Sequence, residues 1–391
     1  MTSSTPAASL LSIVLLALTL AGCNSFSYTS RTIEPDDWLS SGANLARTSM
    51  ADWRIEPPLE EAWEFDVGAG TGPGSVLVAG DLVLVANRKG QLLALDVEKG
   101  KRVGRVRFSA PVEGGMAIAG TMLLVPGAKR KESITGFDLV RGKEAWKLRE
   151  ASVEAGVLAL DSLAVVIDAT AMLRVVEVEQ GHERWAHALD SMAYVLSTPV
   201  ADGPMVYVAN EAGVVFGVDV VDRVRRWRRD LHTPVLQSLG LGSGVVIVPT
   251  TRGRMYGLDA RTGETRWTLA LPDTTVRFSA TAFDPRDGVL VVGTTDGFVR
   301  AIRALSGTEL WSVDVEAPVT AAPLMTQRTV YAGTLGRELV ALDRNTGLKL
   351  WEYAMPGRVQ SAMAATDDMV FVLSEPQRLV AFRVAETAVT E

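Results

Sequence analysis

Chemistry at a protein site needs nucleophiles, acids, bases or metal ligands in groups, and this chain offers few. It holds one cysteine, Cys23, and three histidines, His182, His187 and His232. A single thiol excludes a disulfide framework and any site built from several thiolates. His182 and His187 stand five apart around Trp185 with no set of carboxylates spaced about them, so they read as solvated surface residues on an outer strand. Residues 68–74, GAGTGPG, are glycine-rich but lack the Lys and the following helix of a phosphate loop, and read as a connection. The densest charge is residues 222–230, DRVRRWRRD, with Arg223, Arg225, Arg226, Arg228 and Arg229. Such a run either keeps an edge strand from pairing with another sheet or, through Arg226 and Arg228, presents a docking patch to an acidic partner. A net charge of −7 argues against nucleic acid as that partner.

What recurs along the chain is structural. An acidic residue, Gly four positions on and Trp four beyond that make a frame, whole in Asp138/Gly142/Trp146, Asp259/Gly263/Trp267 and Asp343/Gly347/Trp351. One exchange gives Glu177/Gly181/Trp185, Asp219/Arg223/Trp227 and Arg303/Gly307/Trp311, while Asp96/Gly100/Gly104 lacks the Trp. From Asp96 to Arg383 the acidic position repeats at steps of 42, 39, 42, 40, 44, 40 and 40, which makes eight units. The Trp positions also number eight but are offset, because Trp63 precedes the first acidic position and none follows Arg383. If the units are blades of a ring, residues 60–67 (EEAWEFDV) supply the outermost strand of the last blade and close it.

Each unit shows period-2 strands around a short turn, in 82–96, 205–219, 289–303 and 329–343. The second unit, 122–138, is longer and carries a basic turn at Lys129, Arg130 and Lys131. Small-residue runs at 114–118, 197–201 and 320–324 suit an innermost strand, where copies converge on an axis. Four strands per unit of about 41 residues predict an all-β fold, an eight-bladed β-propeller of four-stranded antiparallel blades over 58–386, with a C-terminal tail at 387–391. The acidic side chain accepts a turn N–H two residues on, and Gly supplies positive φ. Each Trp should face the next blade, burying about 150–250 Å², or roughly 4–6 kcal/mol before ordering entropy. Gly104 leaves a gap between the first two blades unless Phe108 fills it.

Residues 10–20, LLSIVLLALTL, are too short to span a bilayer and fit the apolar core of a secretory signal over 1–22. Leu20-Ala21-Gly22-Cys23 then resembles the lipobox of bacterial lipoproteins, in which the thiol of Cys23 takes a diacylglycerol group. Several acyl chains, at about 0.8 kcal/mol per CH₂, hold a protein on a membrane without spanning it. Asn24 rather than Asp after the acylated position, by its resemblance to enterobacterial lipoprotein sorting, implies the outer membrane. Residues 23–57 read as a tether and lead-in, where Trp38, Gly42, Asn44, Arg47 and Thr48 resemble the segment before quinoprotein-type propellers. Trp38 and Trp53 read either as packing on the outside of the domain or as having a binding role.

The repeat, carried by 253–267 (GRMYGLDARTGETRW) and 336–351 (GRELVALDRNTGLKLW), resembles that of the quinoprotein dehydrogenases and of the BamB family of outer-membrane assembly lipoproteins. A quinone-dependent enzyme would imply an adjacent cysteine pair, a Trp under the cofactor and long active-site insertions, which this chain lacks. No cofactor, metal or catalytic residue is therefore expected. The BamB resemblance implies a non-catalytic, lipid-anchored periplasmic scaffold that holds the barrel-forming (BamA-like) subunit and assists unfolded outer-membrane proteins. Its contact loops would correspond to 190–198 and 230–234, with Tyr194, Leu196, Asp230 and His232 as candidates. Tyr194 and Leu196 read either as anchors or as the start of an innermost strand. The alternative is a periplasmic ligand-binding or sensor propeller that takes a small molecule at the channel mouth.

Overall fold

The computed structural model describes residues 37–51, 55–72, 74, 76–129, 132–189 and 193–385. Cys23, the signal at 1–22, Trp53, Arg130, Lys131 and the 387–391 tail lie outside the described residues. Among those described, thirty-two strands form eight four-stranded antiparallel sheets. Blade 1 shows the plan, with Val76–Ala79 innermost, then Leu82–Ala86, Gln91–Asp96 and, outermost, Arg102–Arg107. The second strand of blade 1 is buried along its whole length because a neighbouring blade covers each face. Outermost strands such as Glu309–Asp314 alternate between exposed and half-buried, as an edge in water should.

The eighth blade closes the ring as its sequence offset requires. Leu59–Asp66 pairs antiparallel with Arg378–Val384, Leu59 opposite Val384 and Asp66 opposite Arg378. Its innermost strand, Ala364–Ala365, lies against Val76–Ala79 of blade 1. Every blade also has a register shift beside the outermost strand, such as that between Gly257 and Leu258 and, in the closing strand, between Glu61 and Trp63. A bulge there twists the edge and re-aims the side chain next to it, which is the Trp in every blade but the first, where Gly104 stands. Opposite that Trp the third strand carries Gly or Ala, for example Gly217 facing Trp227 and Ala341 facing Trp351, except in blade 3, where Val175 faces Trp185.

Alternating strand direction puts the innermost-to-second turns and the third-to-outermost turns on one face. The second-to-third turns and the blade-to-blade connections share the opposite face. The step of 44 residues comes from blade 6, whose innermost strand Phe278–Asp284 runs on into a longer turn before Val289–Thr294.

Trp38 does not pack on the outside: it is 2% exposed and belongs to the core between blades 8 and 1. The reason is the inner edge of the ring, where innermost strands have no further strand to satisfy their N–H groups. The lead-in supplies the acceptors. Carbonyls of Trp38, Leu39, Leu45, Ala46, Thr48 and Ser49 accept from Val78 (3.0 Å), Ile118 (2.7 Å), Ala201 (3.0 Å), Leu241 (3.2 Å), Phe283 (2.7 Å) and Met325 (2.9 Å). These donors belong, in order, to the innermost strands of blades 1, 2, 4, 5, 6 and 7. The Tyr331 hydroxyl then donates to Ile55 O at 2.9 Å.

Candidate functional site

The conspicuous residues of the repeat are joints. The indole N–H of Trp63, Trp146, Trp185, Trp227, Trp267 and Trp311 donates to a carbonyl of the following blade, on Val97, Val178, Val220, Ala260, Ala304 and Arg344, at 2.7–3.2 Å. Each acceptor follows the acidic position of the next frame. The frame's Gly has a second duty that its own segment does not reveal. A Cβ on Gly307 would stand 2.6 Å from the ring of Trp267, one blade back, and a Cβ on Gly100 2.4 Å from Trp63. Arg223, at φ 59°, stands at that Gly position in the frame of blade 4, and the Trp185 N–H bond to that blade is the longest of the six. Trp351 stacks on Tyr353 and meets Phe382 edge-on instead. At the Gly104 gap, Phe108 is 6% exposed and packs edge-on against Phe137 of blade 2 at 6.0 Å, so it fills the space.

The acidic residues are engaged within their turns. Asp259 accepts from the side chain of Arg266 and from the N–H groups of Thr262 (2.8 Å) and Arg261 (2.9 Å). Together these bring its carboxyl from an ordinary 3.8 down to about 2. None of this is poised for acid–base work near neutral pH.

The candidate contact residues lie in two settings. Tyr194 (54% exposed) and Leu196 (41%) do not begin an innermost strand, which starts at Val200. They sit in the connection from blade 3 to blade 4, on the face opposite the acidic turns. Asp230 ends the outermost strand of blade 4, and His232 belongs to the connection that follows it on that face. Asp230 accepts the backbone N–H of His232 at 2.9 Å and lies 3.1 Å from its Nδ1, which holds an exposed imidazole at a φ of 52°. The two connections converge on one hairpin of blade 4: Glu211 N donates to Tyr194 O, Val235 N donates to Asn210 O, and Thr198 N donates to the Ser238 hydroxyl. Asp190, Ser191 and Met192 lie outside the described residues.

Sequence reasoning passed over Leu236, 37% exposed on the same face beside the fully buried Val235. The signal was there: two successive apolar residues in an extended segment cannot both face one core.

The arginine run occupies the outermost strand Val224–Asp230. Arg226 is bonded to Asp219 at 2.9 Å and to Asp222, Arg228 lies 3.6 Å from Asp230, and Arg229 donates to Thr265 of blade 5 at 3.0 Å. Of the histidines flanking Trp185, His182 is exposed. His187 departs from the solvated expectation: its ring meets Trp185 edge-on at 6.4 Å and its Nε2 is buried without a hydrogen-bond partner among the described residues. Among those residues no group of three or more His, Cys, Asp or Glu is placed to hold a metal ion.

The chain's similarities agree with its repeat. The family model described as outer membrane protein assembly factor BamB matches residues 56–193, 130–294 and 295–390. Proteins of that name from Nitrosomonas eutropha, Yersinia pestis and Burkholderia pseudomallei are 28%, 24% and 27% identical over 173, 241 and 230 residues. Those stretches cover 43%, 55% and 55% of this chain and 41%, 60% and 58% of the relatives, so the chain spans about half the length of the proteins it matches. The crystal structure of BamB from Moraxella catarrhalis superposes with a TM-score of 0.66 at 15% identity, over 83% of this chain and 99% of that one. A europium-containing methanol dehydrogenase superposes at 0.74 and 14% identity, over 90% and 98%. Identity that low conveys the fold alone. The family model reaches across the whole ring, and the chain belongs to the family of outer membrane protein assembly factor BamB.

Proposed function

We propose that this protein is a non-catalytic scaffold of outer-membrane protein assembly, lipid-anchored at Cys23 and facing the periplasm. In this reading it docks a barrel-forming, BamA-like subunit and so assists insertion of unfolded outer-membrane proteins. The observation that carries the docking site is the exposed apolar set Tyr194, Leu196 and Leu236 on one face of blade 4, rimmed by Asp230 and His232. Exposed aromatic and aliphatic anchors within a polar rim are what a protein interface uses. Arg226 and Arg228, on the neighbouring edge strand, supply positive charge for an acidic partner, although Arg226 is already held by two carboxylates.

A photo-cross-linking residue at position 194, activated in the intact envelope, should capture the barrel-forming subunit, and Leu196→Glu should abolish capture. Capture unchanged by Leu196→Glu would exclude this face. Charge reversal at Arg226 and Arg228 with unaltered recovery would leave the run as edge protection only. Replacing Cys23 by Ala should release the protein from the membrane fraction, and persistent membrane association would refute the anchor.

A further inference from the structure

The lead-in loop that enters the ring is held in an unusual conformation. Four of its residues lie in the left-handed region, Gly42 (φ 83°), Ala43 (74°), Arg47 (53°) and Ser49 (44°). Asn44 clasps it: its Oδ1 accepts from Thr48 N at 3.2 Å, its Nδ2 donates to Thr48 Oγ1 at 2.8 Å, and its carbonyl accepts from Arg47 N at 3.0 Å. Side chains other than Gly keep such φ values only where their surroundings over-determine them. The clasp sets the position of Arg47.

Two arginines are buried among the described residues, and they differ in one respect. Arg344, 7% exposed, is paired with Asp284 at 2.6 Å and Asp287 at 2.5 Å. Arg47, 8% exposed, has no carboxylate within ion-pair distance among the described residues; its guanidinium donates to the Ser41 hydroxyl at 2.9 Å. A guanidinium has five N–H donors, and burial of its charge is costly unless a counter-charge accompanies it. Burial lowers the Arg47 guanidinium to about 10, which still leaves it protonated at neutral pH. Ser41 is packed closely against glycine backbone: a Cβ on Gly74 would fall 1.8 Å from Ser41 Oγ, and one on Gly115 2.9 Å from Ser41 Cβ, so only glycine fits at either position. Blades 1 and 2 therefore bring no side chain from these two positions against Ser41.

We infer that Arg47 and Ser41 form an anion site inside the ring, taking a small carboxylate or phosphate on the forked N–H pair of the guanidinium. The pair belongs to the lead-in and includes none of the docking residues of blade 4, so it can be present or absent whether or not those residues bind a partner.

The test is thermal unfolding of the whole protein at constant ionic strength with inorganic phosphate, with acetate as the carboxylate arm and chloride as the control. A saturable rise in Tm beyond chloride is expected with phosphate or acetate, and the responding ion identifies the class. Affinity should fall about tenfold or more in Arg47→Met. No rise beyond chloride, or an equal rise in Arg47→Met, overturns the inference. If Arg47→Met does not fold, calorimetric titration of the wild-type protein and of Ser41→Ala decides. Saturable heat weakened in Ser41→Ala supports the site, whereas absent heat or unchanged affinity overturns it.

Discussion

Substituting Gly307 by Ala places a methyl group 2.6 Å from Cδ2 and Cε3 of Trp267, a residue of the preceding blade. The indole cannot step aside. Its N–H is bonded to Ala304 O at 2.7 Å, and behind it Gly257 is so close that a Cβ there would stand 2.1 Å from Cε2. Overpacking of this kind costs about 1–3 kcal/mol. The left-handed φ of 70° adds about 1–2 kcal/mol for a residue with a Cβ, offset by about 0.4–1 kcal/mol from the stiffer unfolded chain. Gly307→Ala should therefore destabilise by about 2–4 kcal/mol. Gly288→Ala is the control: φ is 69°, but the nearest atom would be 3.7 Å away, so only the backbone contribution of about 1 kcal/mol remains. Trp267→Ala should cost about 3–5 kcal/mol. In that background the Gly307→Ala methyl enters vacated space, which leaves a coupling of about 1–3 kcal/mol between the two positions. The assay is urea unfolding followed by far-UV circular dichroism, comparing midpoints at constant slope. Equal destabilisation by Gly307→Ala in both backgrounds, within about 0.5 kcal/mol, would refute the inter-blade joint.

Two further outcomes follow from the charged groups. Arg344→Met should lower stability by about 1.5–3 kcal/mol, because it removes the buried partner of Asp284, whose side chain is 1% exposed, and leaves that carboxylate only the half-exposed Arg286. Arg286→Ala, which removes a half-exposed partner of the same carboxylate, should cost under about 1 kcal/mol; equal losses of Tm in the two variants would contradict this. Asp259, depressed from 3.8 to about 2, binds fewer protons folded than unfolded. Its contribution is present above 3.8 and is lost as pH falls through about 2, and Asp219 and Asp343 are shifted the same way. The Tm should drop across that interval, and Asp259→Asn should flatten the drop; an unaltered profile would count against these carboxylates as its source.

Much of the architecture is legible in local patterns. The direction of the Trp joints follows from the frame, since it depends on neighbouring blades being copies of one unit, whereas the sequence left open whether Phe108 fills the Gly104 gap, as it does. The contact between Gly307 and Trp267 is less accessible, because its two partners stand in different copies, 40 residues apart. Exposure of Tyr194 and Leu196 was open between two readings, since an apolar pair spaced by two suits a strand face and a loop anchor alike. His187 carries no local sign that its ring would lie against Trp185, although the two stand two apart on one strand face.

By itself the sequence determined the number of blades, their strand order and the closure by Leu59–Asp66. These are periodic properties, set by alternation, turn chemistry and repeat spacing, and each unit states them again. Only the tertiary structure decided where the unrepeated residues went. The lead-in, without periodicity of its own, is drawn inside because the closed ring leaves a line of unpaired N–H groups at its centre, and one chain of carbonyls can reach six blades there. That placement buries Trp38 and leaves Arg47 without an acidic partner among the described residues, which no spacing along the chain could have told.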